Sequence, residues 1–88
     1  MEILTVEVNN NSGLHARPAA MFVGTAKKFS SEVTIRKDDK HANGKSMMGV
    51  LSIAASKGDT LEIVAEGQDE LEAIGAIRAL FETQLTHE

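Results

Sequence analysis

The sequence predicts a two-layer α+β domain, an antiparallel sheet with helices on one face and water on the other. Three observations predict it. Short segments alternate apolar and polar residues, longer ones repeat apolar residues at helical spacing, and clusters of turn formers separate the two kinds. A chain of 88 residues fits a single domain, here 1–88, without linker, repeat or low-complexity segment.

The elements follow in order. From Ile3 to Val8, Leu4, Val6 and Val8 share one face while Ile3, Thr5 and Glu7 share the other, a half-buried strand. Asn9-Asn10-Asn11-Ser12-Gly13 ends it as a turn. The period then changes: over residues 16–28, Ala19, Phe22, Val23 and Ala26 form one apolar helical face. Val33 and Ile35 alternate with Thr34 and Arg36 in a second strand, and Lys37-Asp38-Asp39-Lys40 turns it back into a short third strand at His41-Ala42-Asn43. Ser46 precedes a short helix over Met47 to Ala55, in which Val50, Ile53 and Ala54 face the core. Lys57-Gly58-Asp59 is a turn, and Leu61, Ile63 and Ala65 mark a fourth strand. Asp69 caps a last helix with Glu70 and Glu72 in its first turn and Leu71, Ile74, Ile77 and Phe81 as its buried stripe.

Composition removes several functions. A domain this small has little room to enclose a deep pocket as well as a core, which favours chemistry done at the surface. Three Phe with no Trp or Tyr leave no stacking platform for single-stranded nucleic acid, and a net charge of −4 opposes a phosphate backbone. Without cysteine there is neither a disulfide framework nor a thiolate metal site. The acidic start, Met1-Glu2-Ile3-Leu4, does not read as a signal peptide, and no apolar run reaches the ~20 residues of a membrane span. The expected compartment is the cytoplasm, and neither metal nor cofactor is expected.

Two segments carry chemistry. In Gly13-Leu14-His15-Ala16-Arg17-Pro18-Ala19-Ala20, His15 stands just before a helix and Pro18 lies in its first turn, where a missing N–H is tolerated. The amide dipoles of a helix start attract anions, and Arg17 adds a guanidinium able to grip phosphate oxygens in pairs. Near neutral pH an imidazole keeps a nucleophilic, uncharged form. A histidine at a helix start is by itself more often a plain capping residue. The second segment, Asn43-Gly44-Lys45-Ser46-Met47-Met48-Gly49-Val50-Leu51, changes that balance. Met47, Met48 and Leu51 point away from the core as an apolar patch, the mark of a partner surface in a small domain. Gly24, inside the first helix and on the side toward this patch, costs ~1 kcal/mol relative to alanine and permits close approach of a partner. His41, His87, Lys27, Lys28 and Lys45 read as solvated surface groups.

GLHARPAA followed by NGKSMMGVLS resembles the HPr family, the histidine-containing phosphocarriers of the bacterial sugar phosphotransferase system, over essentially the whole chain. The resemblance implies an open-faced β-sandwich of order βαββαβα, a four-stranded antiparallel sheet with three helices on one face. It implies that phospho-enzyme I charges His15 at Nδ1, that Arg17 stabilises the phosphate, and that enzyme IIA domains receive it. Ala16, Ala20, Met47, Met48 and Leu51 then map onto the docking surface, to which Gly24, with its room for close approach, adds a sixth position. The chain works as a monomeric carrier rather than a stand-alone enzyme. Ser46 matches the regulatory serine that an HPr kinase/phosphorylase phosphorylates in many Gram-positive bacteria, with a catabolite-control transcription factor as reader. As a residue it is also a good N-cap. Three other functions compete: a purely regulatory module, as in relatives lacking the histidine, a carrier of the nitrogen-related branch, and a small hydrolase. The pairing of His15 with Arg17 argues against the first, the NGKSMMGV segment favours the sugar branch over the second, and no nucleophile accompanies His15 for the third.

Overall fold

The computed structural model describes residues 1–9 and 13–84, so the expected turn at Asn10-Asn11-Ser12 and the position of His87 lie outside it. The elements are β1 (Glu2–Glu7), α1 (Ala16–Ala26), β2 (Glu32–Lys37), β3 (Lys40–Asn43), α2 (Met47–Ile53), β4 (Thr60–Glu66) and α3 (Glu70–Ala79). A π-helical turn, Leu80–Gln84, continues α3. The strands form one four-stranded antiparallel sheet in the order β1-β4-β2-β3. The predicted fold class, with its helices gathered on one face, is the observed one.

Alternation decides which face is covered. Leu4, Val33, Ile35, Leu61, Ile63 and Ala65 point inward and are buried, meeting Phe22, Val23, Val50, Ile53, Ile74 and Ile77 from the helices. Each large apolar side chain so buried contributes roughly 1.5–3 kcal/mol. The Phe22 and Phe81 rings meet edge to face at 6.1 Å, tying α1 to the end of α3. On the open face, Thr5, Glu62, Arg36 and His41 lie opposite one another across all four strands, and the exposed Arg36–Glu62 pair at 3.3 Å is worth little.

Three expectations need correction. The buried stripe of α3 runs through Ala73, Ile74, Ile77, Leu80 and Phe81, whereas Leu71 is 67% exposed. At about 100° per residue, Leu71 lies roughly 120° from the centre of that stripe. Asp69 stands at the N-cap of α3, yet its side chain makes no capping bond. It accepts instead from Ser30 N at 2.9 Å, Ser31 N at 2.9 Å and the hydroxyl of buried Ser31. Those donors hold its carboxyl down at about 2, the Ser31 hydroxyl being the largest cause. Gly67, at φ 155°, makes this contact possible, since a Cβ there would lie 2.7 Å from Ser31 Cα.

Third, Ala54 is exposed, and Ala55 occupies the buried place assigned to it. Ala54 closes α2 in the left-handed region at φ 56°, ψ 46°. A methyl side chain is strained there, so Ala54→Gly is expected to raise the unfolding free energy by about 1 kcal/mol. Urea denaturation followed by circular dichroism reads this; a variant less stable than the parent would show that Ala54 carries no strain.

Candidate functional site

Gly13 turns the chain at φ 67°, a conformation that favours glycine. The next residue, Leu14, is buried and donates its N–H to Ala55 O at 3.0 Å. With Leu14 anchored, His15 emerges on the surface at the N-cap of α1, in extended conformation at φ −84°, ψ −163°. Its side chain is exposed and makes no capping hydrogen bond. The ladder of α1 begins with Ala19 N donating to His15 O at 2.9 Å. Pro18, buried beneath the first turn, lacks an N–H where the helix does not use one. Arg17 is exposed in that same turn, which contains no acidic residue. His15 and Arg17 are thus both exposed at the start of α1, where the positive end of the helix dipole favours an anion.

Ser46 begins α2 as predicted: its Oγ accepts from Gly49 N at 3.0 Å, and its carbonyl accepts from Val50 N at 2.9 Å. Gly44 allows the approach to this cap, because a Cβ there would lie 2.6 Å from Val33 Cγ1. Met48 is 83% exposed and Leu51 39%, as the apolar patch requires. Met47 is only half-exposed, because part of its side chain packs against the core. Ala16, Ala20 and Gly24 are exposed one turn apart along α1, which packs against α2, and nothing would crowd a side chain at Gly24. Lys45 is not a plain surface charge; it is half-buried, and its Nζ donates to Phe29 O at 2.7 Å. His41 is exposed on edge strand β3, and Lys27 and Lys28 are exposed, as expected.

The sequence places Lys37 and Asp59 in turns and Ala55 at a helix end, and assigns none of them a part in the site. Yet Ala55 holds the segment that presents His15, and Lys37 and Asp59 hold the turn that follows it. Hydrophobic period is silent about how these three meet. Among the described residues, no cluster of three or more His, Asp or Glu is placed to hold a metal ion, and no helix is long and apolar enough to cross a membrane.

Comparison with known proteins agrees with this geometry. The family model described as the HPr component phosphorylation site matches residues 4–83. The phosphocarrier protein HPr of Treponema pallidum (strain Nichols) is 44% identical over 88 residues, covering 100% of both chains. The HPr-like protein Crh of Halalkalibacterium halodurans is 48% identical over 79 residues, 90% of this chain and 94% of its own. Among solved structures, HPr from Thermoanaerobacter tengcongensis superposes with a TM-score of 0.94 at 49% identity, covering 100% of this chain and 99% of that one. Fold and site therefore define a phosphocarrier domain of the open-faced sandwich class. The chain belongs to the HPr family, the phosphocarrier component of the phosphotransferase system.

Proposed function

We propose that this phosphocarrier takes its phosphoryl group from phospho-enzyme I onto His15 Nδ1 and gives it to a histidine of an enzyme IIA domain during sugar uptake. The observation that carries this reading is His15 itself, exposed at the start of α1 with a ring that capping does not consume. The ring nitrogen supplies the electron pair for the new N–P bond as the donor's N–P bond breaks, and the electron pair of the broken bond stays on the donor nitrogen. Arg17 and the helix start stabilise the dianionic phosphoryl group on arrival. Leaving by the same route regenerates the free imidazole, so the domain turns over only between two partners. It works as a monomer in the cytoplasm.

The partners dock on the exposed stripe Ala16, Ala20 and Gly24 together with Met48 and Leu51, with Met47 supporting the patch from its half-buried seat. Incubation with phosphoenolpyruvate and enzyme I is expected to give an acid-labile, alkali-stable label on the wild type and none on His15→Ala. Label persisting in the variant, or absent from the wild type, would overturn the assignment.

Ser46 is the proposed regulatory site, phosphorylated by an HPr kinase/phosphorylase and read by a catabolite-control transcription factor. Similarity to Crh, named in a solved structure as the Bacillus subtilis catabolite repression HPr, favours this second role. Its hydroxyl already faces the amide of Gly49, so phosphorylation leaves α2 in place and adds roughly two negative charges beside Met48 and Leu51. Weaker docking to enzyme I is the expected result.

A further inference from the structure

Behind His15 the Gly13–Leu14 segment rests on the 54–59 turn, and a lysine from the end of β2 reaches that turn. The Leu14 N–H rests on Ala55 O, and Gly13 is packed so closely that a Cβ would lie 2.3 Å from that same oxygen. The position of His15 is therefore set by where Ala55 stands. Ala55 follows Ala54, whose left-handed backbone ends α2, and leads into a turn closed by Asp59. Asp59 Oδ2 accepts from Ser56 N at 2.8 Å, and its backbone carbonyl accepts from Val8 N at 2.8 Å. Lys37 reaches the turn from the end of β2, its Nζ donating to Asp59 Oδ2 at 3.1 Å and to Ala54 O at 3.3 Å. Its side chain is only 17% exposed, so the contact is better shielded than an ordinary surface pair.

We propose that Lys37 and Asp59 are positioning residues for phosphoryl transfer, clamping the 54–59 turn at both ends so that Ala55 holds Leu14, and through it His15, in the reactive position. The proposal rests on His15 being the phosphoryl acceptor. Lys37 touches no reacting atom; it acts through a backbone carbonyl and a carboxylate. Arginine keeps the charge and several donors on a long stem, whereas methionine keeps the aliphatic stem and loses the charge and the donors.

Lys37→Met, Lys37→Arg and Asp59→Asn are compared in two measurements. Hydrogen exchange at the Leu14 amide is expected to quicken roughly 10-fold in Lys37→Met and Asp59→Asn, while Ile63 in the centre of the sheet keeps its rate. Phosphoryl transfer at saturating phospho-enzyme I is expected to slow roughly 5-fold with unchanged KM, and Lys37→Arg restores both readouts. Equal quickening of Leu14 and Ile63, an unchanged Leu14, or an unaltered saturating rate overturns the clamp. The exchange measurement needs no phosphoryl transfer, so a wild type that fails to label at His15 sinks the functional reading while the clamp is still decided at Leu14.

Discussion

Replacing Gly13 with alanine is expected to lower the unfolding free energy by about 3 kcal/mol and to slow phosphoryl transfer at His15 together with it. A left-handed backbone carrying a side chain costs about 1–2 kcal/mol by itself. At φ 67° the added Cβ would also stand 2.3 Å from Ala55 O and 3.0 Å from Ser56 Cα, both backbone atoms that no rotamer change can move aside. The chain must retreat, which stretches the Leu14 N–Ala55 O bond, worth about 1 kcal/mol, and lifts Leu14 from its buried seat. Urea titration gives the stability and the enzyme I assay gives the rate. A variant within about 0.5 kcal/mol of wild type would show that the segment before His15 is not held from behind.

Acid should separate wild type from Asp69→Asn in a characteristic way. In the folded protein the Asp69 carboxyl titrates at about 2, below its ordinary 3.8, because the Ser31 hydroxyl and the amides of Ser30 and Ser31 bind the charged form. A depressed carboxyl stabilises the fold fully above its unfolded value and loses that contribution as pH falls through the folded one. The wild type is therefore expected to be the more stable above about pH 4, with the gap closing between there and about pH 2. Asparagine retains one acceptor but no charge, and it turns an N–H₂ toward donors. Thermal midpoints of the two proteins across pH 2–7 check this, and a constant difference over the whole range would remove Asp69 from the acid response. In the companion variant Ser31→Ala, loss of the buried hydroxyl bond should cost about 1 kcal/mol.

Elements whose signal is local were legible in the sequence. Alternation in β1, β2 and β4 named the inward residues correctly because a strand's two faces follow directly from its period. Ser46 and Gly49 sit three residues apart, the spacing of an N-cap bond, and the structure makes that bond. His15, Arg17 and Pro18 share one helical turn, so their proximity needed no tertiary knowledge. What failed depends on which element packs against which. Leu71 and Ala73 differ only in their angle to a sheet whose position the helix sequence does not encode. Asp69 appears in sequence as an ordinary cap, and its use by Ser30 and Ser31 arises only because the chain brings the loop between α1 and β2 beside the start of α3. Lys45 and Lys37 look alike as polar residues, yet each places its ammonium on the carbonyl of a distant turn. In the candidate site, the chemistry was local and readable; the support behind it was long-range and silent.

The strand order β1-β4-β2-β3 also governs how the molecule must assemble. Ala65 stands opposite both Glu2 and Val33, so β4 is the shared partner of β1 and β2. Only the β2–β3 hairpin can close from neighbouring sequence. The β1–β4 and β2–β4 pairings wait until the chain has been made through Glu66, which points to the sheet closing in one late, cooperative step on a timescale of roughly milliseconds. Until then residues 2–7 emerge as an unpaired strand, with Glu2 and Glu7 bounding its apolar stretch. Those charges discourage pairing between nascent copies during the wait.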